Sequence, residues 1–409
     1  MNIERGTQRT FYNTQVYSWA DSIEEGAKDQ ILEACKNLPL KEMWVLPDVH
    51  QGYTVPIGSL CIADQAIIPE LLGPDVGCGI SVRNLNKNIR DMSKEDLDRL
   101  FDFLSNPIEF PREARTKIPE RLEKDVTDLV TLYSVIFGLN ENKVFRAIGT
   151  IGGGNHFVEI GVDDKTGELY STVHTGSRFI GSWAQEEIKK RTEECRKSLA
   201  DLERHFSGIL SDVPALPDHA GLTIDRVYKA LDDLTIYSST QPIVTLLEDV
   251  QAFARENRKI IQDSIYDFIH PGKRIREKDI DCGHNVFFRS SPGVYCHCKG
   301  VAHISGTYGV IAGSQTDGVY IVEPMPGNGL GICSHGAGRV LSRKAARETL
   351  DESEEKARLD SVVPYNTFSG RSSLEECSKA YKDIHHVLDL QKGLVRPVRH
   401  LRPVMNIKG

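Results

Sequence analysis

No apolar run in the sequence approaches the roughly 18 residues that a membrane-crossing helix needs. The polar opening MNIERGTQRTFYN also lacks the apolar core of a secretory signal. A cytoplasmic protein without a membrane partner is the expectation. The nine cysteines are odd in number and widely scattered, and no two form a C-x-x-C pair. Neither a disulfide framework nor a zinc knuckle is expected. Most of the thiols read as small core residues, and some as metal ligands. Positive charge is also short: 50 Lys and Arg stand against 58 Asp and Glu, a formal net charge of −8. Such a balance argues against indiscriminate binding of nucleic acid. One stretch departs from it. Residues 391–409 carry Lys392, Arg396, Arg399, Arg402 and Lys408 with no acid, so a local basic face is expected there.

What is present is ordinary in bulk: 409 residues, 40% hydrophobic and 26% charged, enough for a large core. MWVLPDVHQG and SLCIADQAIIP read as short buried strands bounded by Pro and Gly. Residues 93–125 read as helix, opening on Ser93. TGELYSTVHTGSR reads as a hairpin arm. Between Trp183 and His270 the texture becomes long and amphipathic, as in QEEIKKRTEECRKSLADLERHF and IVTLLEDVQAFARENRKIIQDSIYDFI. Strand-like texture returns after Gly283, and another helix is expected from about Ser342. Polar glycine loops occur on both sides of the helical stretch. They must meet to form one site, so the simplest architecture is α+β. It would be a single domain over residues 1–409, with a mixed sheet core, peripheral helices and a helical insertion over residues 183–270.

Five short glycine-rich loops each carry ionisable residues: GPDVGCG with Asp75 and Cys78, GGGNHF with Asn155 and His156, HTGSR with His174, CGHN with His284, and CSHGAGR with His335 and Arg339. Carboxylate, thiolate and imidazole together suit a borderline first-row metal. The backbone amides of GGGN and HGAG could cradle phosphate oxygens. Taken singly, each feature has a plainer reading. A histidine in a glycine loop is more often a turn residue than a ligand, and a lone cysteine is more often core. Their coincidence points to a metal-dependent enzyme acting on phosphate. In CHC, alternation puts Cys296 and Cys298 on one face and His297 on the other, so a core strand is expected. His385 and His386 fall in a helical pattern and read as surface or packing residues.

The strings PDVHQG (47–52), DVGCG (75–79), GTIGGGNHFVEI (149–160), HTGSR (174–178), GHN (283–285), SHGAGR (334–339), AYKDI (380–384) and the terminal Lys408-Gly409 span nearly the whole chain. In kind and order they resemble the RtcB family of RNA-splicing ligases. The resemblance implies an α+β fold peculiar to that family, two Mn²⁺ ions per chain bridged by Cys78, and GTP. One ion would sit on Cys78, His156 and His174, the other on Asp75, Cys78 and His284. His335 would be the nucleophile that carries GMP. Asn155 and the loop Gly336, Ala337, Gly338 and Arg339 would meet the nucleotide's phosphates. Glu159, Ser314, Tyr381 and Lys408 would hold the guanine or its nucleotide. Asp48 and His50 would lie behind the ligands or on the RNA side. The implied reaction joins RNA 3′-phosphate or 2′,3′-cyclic phosphate ends to 5′-hydroxyl ends through a histidine–GMP and an RNA 3′-guanylylated intermediate. An archease-type activator is a further implied partner. Three positions depart from the family's pattern: Gly283 where it often has histidine, Phe179 where it has glycine, and Ala312 where it has proline. Two other readings stand beside the ligase. A dinuclear metal phosphoesterase acting on RNA would not need His335, Tyr381 or Lys408. A non-catalytic RNA- or nucleotide-binding protein would tolerate loss of ligands, and none is lost.

Overall fold

The computed structural model describes residues 8–105, 120–210, 224–273 and 278–408. Alternating apolar residues build two principal sheets. The first runs, edge to edge, Gln8–Phe11, Thr14–Ser18, Glu42–His50, Ile57–Asp64, Val294–Lys299 and Phe287–Ser291. The second runs Gly309–Ala312, Val319–Pro324, Val395–Lys408, Phe157–Asp163, Glu168–Thr175, Gly79–Asn88 and Ile280–Gly283, with Tyr365–Asn366 joined in parallel to Val395–Lys408. A short pair, Val301–His303 with Ile332–Ser334, is separate from both. Antiparallel pairing dominates, and the parallel pairing of Thr14–Ser18 with Glu42–His50 makes the first sheet mixed. The core is therefore built on two sheets rather than one. Leu46, Leu60, Cys296 and Cys298 of the first share a buried cluster with Ile80, Val82, Phe157 and Ile321 of the second.

The CHC strand is a core strand. Cys296 and Cys298 face the cluster between the sheets, and His297 is fully buried with both ring nitrogens engaged. Its Nδ1 lies 3.1 Å from the Cys61 carbonyl, and its Nε2 accepts from the Ile68 N–H at 2.9 Å. Burial holds this imidazole down, with a pKa of about 4. His386 is exposed and pairs with Asp21.

Helices cover the far side of the second sheet. Lys94–Ser105 starts where expected: the Ser93 hydroxyl accepts from the Asp96 N–H at 3.1 Å, while Asp96 Oδ2 accepts from the Ser93 N–H at 3.1 Å. The expected continuation to residue 125 falls partly on residues 106–119, which lie outside the described ones; helix is present again over Glu120–Phe137. Two long helices, Phe179–Leu210 and Ile224–Ile269, occupy the amphipathic stretch. The second of them lays Ile261 and Ile265 against Val158, Ile160 and Val173 of the sheet, so its C-terminal half is part of the core.

The expected basic face does not form along the C-terminal strand. Arg396 pairs with Glu323, Arg399 with Asp163, and Arg402 and His400 with Asp164. The acids come from strands and turns beside it, which the local sequence does not reveal.

Candidate functional site: a donor cluster and a nucleotide-sized cavity

Register brings the glycine loops together. Gly79 pairs with both Thr175 and Gly283, and Phe157 pairs with His174. Asp75, Cys78, His156, His174 and His284 thus gather at one end of four adjacent strands. Their donor atoms fall into two groups that share Cys78: Asp75, Cys78 and His156, and Cys78, His174 and His284. This grouping corrects the pairing drawn from resemblance, in which His156 went with His174 and Asp75 with His284. Cys78 Sγ lies 3.4 Å from Nε2 of both His156 and His174. His156 Nε2 lies 2.9 Å from Asp75 Oδ2, and His174 Nε2 lies 3.3 Å from His284 Nε2.

The donor chemistry fits metal. The His156 Nδ1–H donates to the Ile151 carbonyl at 2.9 Å, which turns Nε2 into the cluster. All three imidazoles bring Nε2 into the same buried space beside the Cys78 sulfur, a mixed donor set that suits a first-row metal. Burial, reinforced by the neighbouring histidines and other cations, holds His174 and His284 well below the usual imidazole range. Burial and then the Asp75 charge push the Cys78 thiol well above its usual range. Burial raises Asp75, but contacts with His156 outweigh it and hold the carboxyl low.

Beside this cluster lies a cavity of about 590 Å³, large enough for a nucleotide. His335 stands in its wall, with its ring centroid 4.9 Å from that of His284. Its Nδ1 is 2.7 Å from Asp48 Oδ2, and its backbone N–H donates to the same oxygen at 3.2 Å. Asp48 is fully buried, and its carboxyl is lowered: burial raises it, and the His335 contacts prevail. A carboxylate this close requires the proton on Nδ1, so Nε2 carries the free lone pair. Gly338 lets the two elements meet. It has φ of 75°, and a Cβ there would come 2.3 Å from the Asp48 carbonyl oxygen. Lys382 Nζ donates to the carbonyls of Pro47 and Val49 at 2.9 and 2.7 Å, clamping the backbone on both sides of Asp48.

The far wall carries Glu159, Ser314, Arg339, Tyr381 and Lys408, and Asn155 also lines the cavity. Glu159 lies opposite Asn406 in the sheet, which explains the 3.0 Å bond from Asn406 Nδ2 to Glu159 Oε2. Its other oxygen is buried without a partner, and burial pushes the carboxyl up to about 8. Lys408 lies opposite Phe157, with Nζ 5.3 Å from that ring's centre. Ser314 Oγ donates to Asp317 at 2.6 Å. Glu376 ties the rest: Tyr381 OH donates to it, Arg339 Nη1 donates to it at 3.3 Å, and Lys408 Nζ lies 3.8 Å away.

Four contributors were missed in the sequence: Asp48 as the partner of His335, Glu376, Lys299 and the helix pair Asn257–Arg258. Lys299, in the cavity wall, is buried; burial lowers its pKa although Asp75 and Cys78 oppose the shift. Only Asp48 carried a sequence cue, its place in PDVHQG. Two of the three departures have local reasons. A side chain at Gly283 would meet Val286 Cγ1 at 2.4 Å. Ala312 donates its N–H to the His335 carbonyl at 3.2 Å, a bond proline cannot make. Phe179 is partly exposed at the start of its helix, and nothing in the structure explains it.

The family model described as tRNA-splicing ligase RtcB matches residues 32–142 and 135–409. An RNA-splicing ligase RtcB of Escherichia coli strain K12 is 27% identical, with 98% of each chain covered. A tRNA-splicing ligase RtcB of Thermococcus kodakarensis is 25% identical over 97% of this chain and 94% of its own. An RNA-splicing ligase RtcB of Mycobacterium bovis is 25% identical over 90% of this chain and 97% of its own. Among the described residues, no helix is long and apolar enough to cross a membrane. With the family model matched over nearly its whole length, the chain belongs to the RtcB family.

Proposed function

We propose that this protein is a GTP- and Mn²⁺-dependent RNA ligase that joins RNA 3′-phosphate or 2′,3′-cyclic phosphate ends to 5′-hydroxyl ends. The observation that carries the reading is the buried Asp48–His335 pair, set between the donor cluster and a cavity that ends in Glu159. Family membership and the names of the relatives support the substrate class.

Asp48 fixes the tautomer and ring plane of His335, so Nε2 attacks the α-phosphorus of GTP. A phosphorus–nitrogen bond forms, the bond from the α-phosphorus to the bridging oxygen breaks, and pyrophosphate leaves. A 2′,3′-cyclic phosphate is first opened by water, whose oxygen joins phosphorus as the bond to O2′ breaks and O2′ takes a proton. GMP then passes to the RNA 3′-phosphate, and the 5′-hydroxyl of the second RNA attacks that phosphate and displaces GMP. Asp75, Cys78 and His156 would hold one Mn²⁺, and Cys78, His174 and His284 the other. Bound there, manganese supplies Lewis-acid stabilisation of charge on phosphate oxygens. Lys299, Arg339 and the amides of residues 336–338 face the same charge from protein groups, and Asn155 lies against the phosphates. Glu159 accepts from the imino and amino groups of guanine, with Ser314, Tyr381 and Lys408 completing the nucleotide's seat.

The test is incubation with GTP and Mn²⁺ followed by intact-mass analysis. The parent gains one GMP in an acid-labile, alkali-stable linkage. His335→Ala keeps its manganese and gains none. A variant that is still labelled overturns the nucleophile assignment. One that loses its metal makes His335 a ligand instead.

A further inference from the structure

We infer that Asn257 and Arg258, consecutive residues of the long helix Ile224–Ile269, are a positioning pair that sets the spacing of the whole donor cluster. The inference rests on the metal reading above and adds to it a control point outside the glycine loops.

Both side chains are buried in full. Arg258 spends its donors on two strands and a glycine loop at once. Nη1 donates to the carbonyls of Gly77 and Thr175, each at 2.9 Å. Nε and Nη2 donate to the two oxygens of Asp281 at 2.6 and 2.8 Å. Gly77 immediately precedes Cys78, Thr175 follows His174, and Asp281 stands three residues before His284. Asn257 takes the remaining loop. Its Oδ1 accepts from the Thr150 N–H at 3.0 Å, and its Nδ2 donates to the carbonyls of Thr150 at 3.1 Å and Gly176 at 3.0 Å. From Thr150 the chain passes directly to Ile151, whose carbonyl receives the His156 Nδ1–H. Asp75 is joined through its own turn, where its carbonyl accepts from the Cys78 N–H at 3.2 Å. Each of the five donors is therefore at most a few bonds from one of these two side chains.

A helix can do this because it packs across the adjacent strands Gly79–Asn88 and Glu168–Thr175. Neighbouring positions on it point about 100° apart, so the pair reaches two sides of the cluster without either side chain bending. Guanidinium geometry is needed, because one planar fork serves a carboxylate and two carbonyls together; an ammonium is a point donor and cannot span them. Packing alone does not call for this arrangement. Arg83 is an equally buried arginine of the same sheet, and its bonds go to Asp263 at 2.7 Å and Asp279 at 2.5 and 2.9 Å, away from the donors. It is the natural control.

The experiment titrates the purified full chain with Mn²⁺ alone, and in parallel with Co²⁺, whose thiolate charge-transfer absorption reports on Cys78. Arg258→Lys and Asn257→Asp should each weaken Mn²⁺ binding by about 10–100-fold, the usual effect of losing a group that orients a ligand. Each should also shift the Co²⁺–thiolate band at saturation. Arg83→Lys should lower Tm and leave both metal readouts at the parent's values. Should Arg258→Lys not fold, Asn257→Asp, nearly identical in shape, decides alone. Parent-like metal affinity and spectra in the helix variants overturn the positioning role, as does an equal loss in Arg83→Lys. A parent that binds neither metal sinks the metal reading and this inference together.

Discussion

The two ends of the cavity are built on opposite terms. At the donor end, ligand atoms crowd together: two imidazole nitrogens stand 3.3 Å apart, and His284 Nδ1 is buried with no partner. At the other end, charges already answer each other. Glu376 meets Arg339 at 3.3 Å, Arg343 at 3.5 Å, Lys408 at 3.8 Å and the Tyr381 hydroxyl, and in that wall Glu159 Oε1 is left over. The first end gathers sulfur, carboxylate and imidazole donors, a set suited to a first-row cation. The second is held by its own ion pairs and leaves one carboxyl oxygen unpaired. Preorganised polar groups of this kind select among ligands, whereas a mixed donor set selects among metals.

The largest break in that contrast should come from Cys78→Ala. Both groups of donors lose their shared atom, so metal per chain should fall from two to near none by elemental analysis. Hydrogen exchange should then quicken around residues 75–79, 150–156, 174–176 and 283–285 and stay unchanged around 376–408. Full metal retention would show that Cys78 is not shared. Next in size is Asp48→Asn, which keeps the shape beside His335 but no longer fixes its tautomer. GMP-adduct formation should slow on the order of 10³–10⁴-fold, with manganese content preserved. A rate within a few fold of the parent would remove Asp48 from the mechanism. Smaller again is Glu159→Ala. The preference for GTP over ATP in adduct yield should fall about 10–100-fold, the worth of a hydrogen bond to a charged group; an unchanged preference would place base recognition elsewhere.

The smallest effect is one of pH. Burial outweighs the Asn406 bond and the Lys408 charge and lifts Glu159 from 4.5 to about 8. Between those values the folded chain holds a proton that the unfolded chain has released. Glu159 therefore contributes stability that is full below about 4.5 and is lost as pH rises through about 8. Melts of the metal-free protein between these limits should show a decline that Glu159→Gln flattens. Parallel curves for the two proteins would contradict it.

The donor end was readable because its residues sit in loops whose glycines announce themselves. What sequence could not give was which donors share an ion, since register between strands decides that. It also hid every long-range partner. Asp48 lies 287 residues from His335. Asn257 and Arg258 look like the polar face of an amphipathic helix, and only the sheet beneath shows that this face is buried. Glu376 stands outside every glycine loop. The cationic tail misled for the same reason, because Glu323, Asp163 and Asp164 are supplied from elsewhere in the fold.

Those paired arginines bear on how an RNA would arrive. A phosphate that docks on a free lysine or arginine releases condensed counterions, and binding then weakens steeply with salt. Along Val395–Lys408, Arg396, Arg399 and Arg402 already hold carboxylates, so a phosphate there would have to displace an anion of the protein itself. In a chain of net charge −8, long-range attraction is correspondingly weak. The salt dependence of RNA capture should then be shallow and come from the few phosphates nearest the broken end.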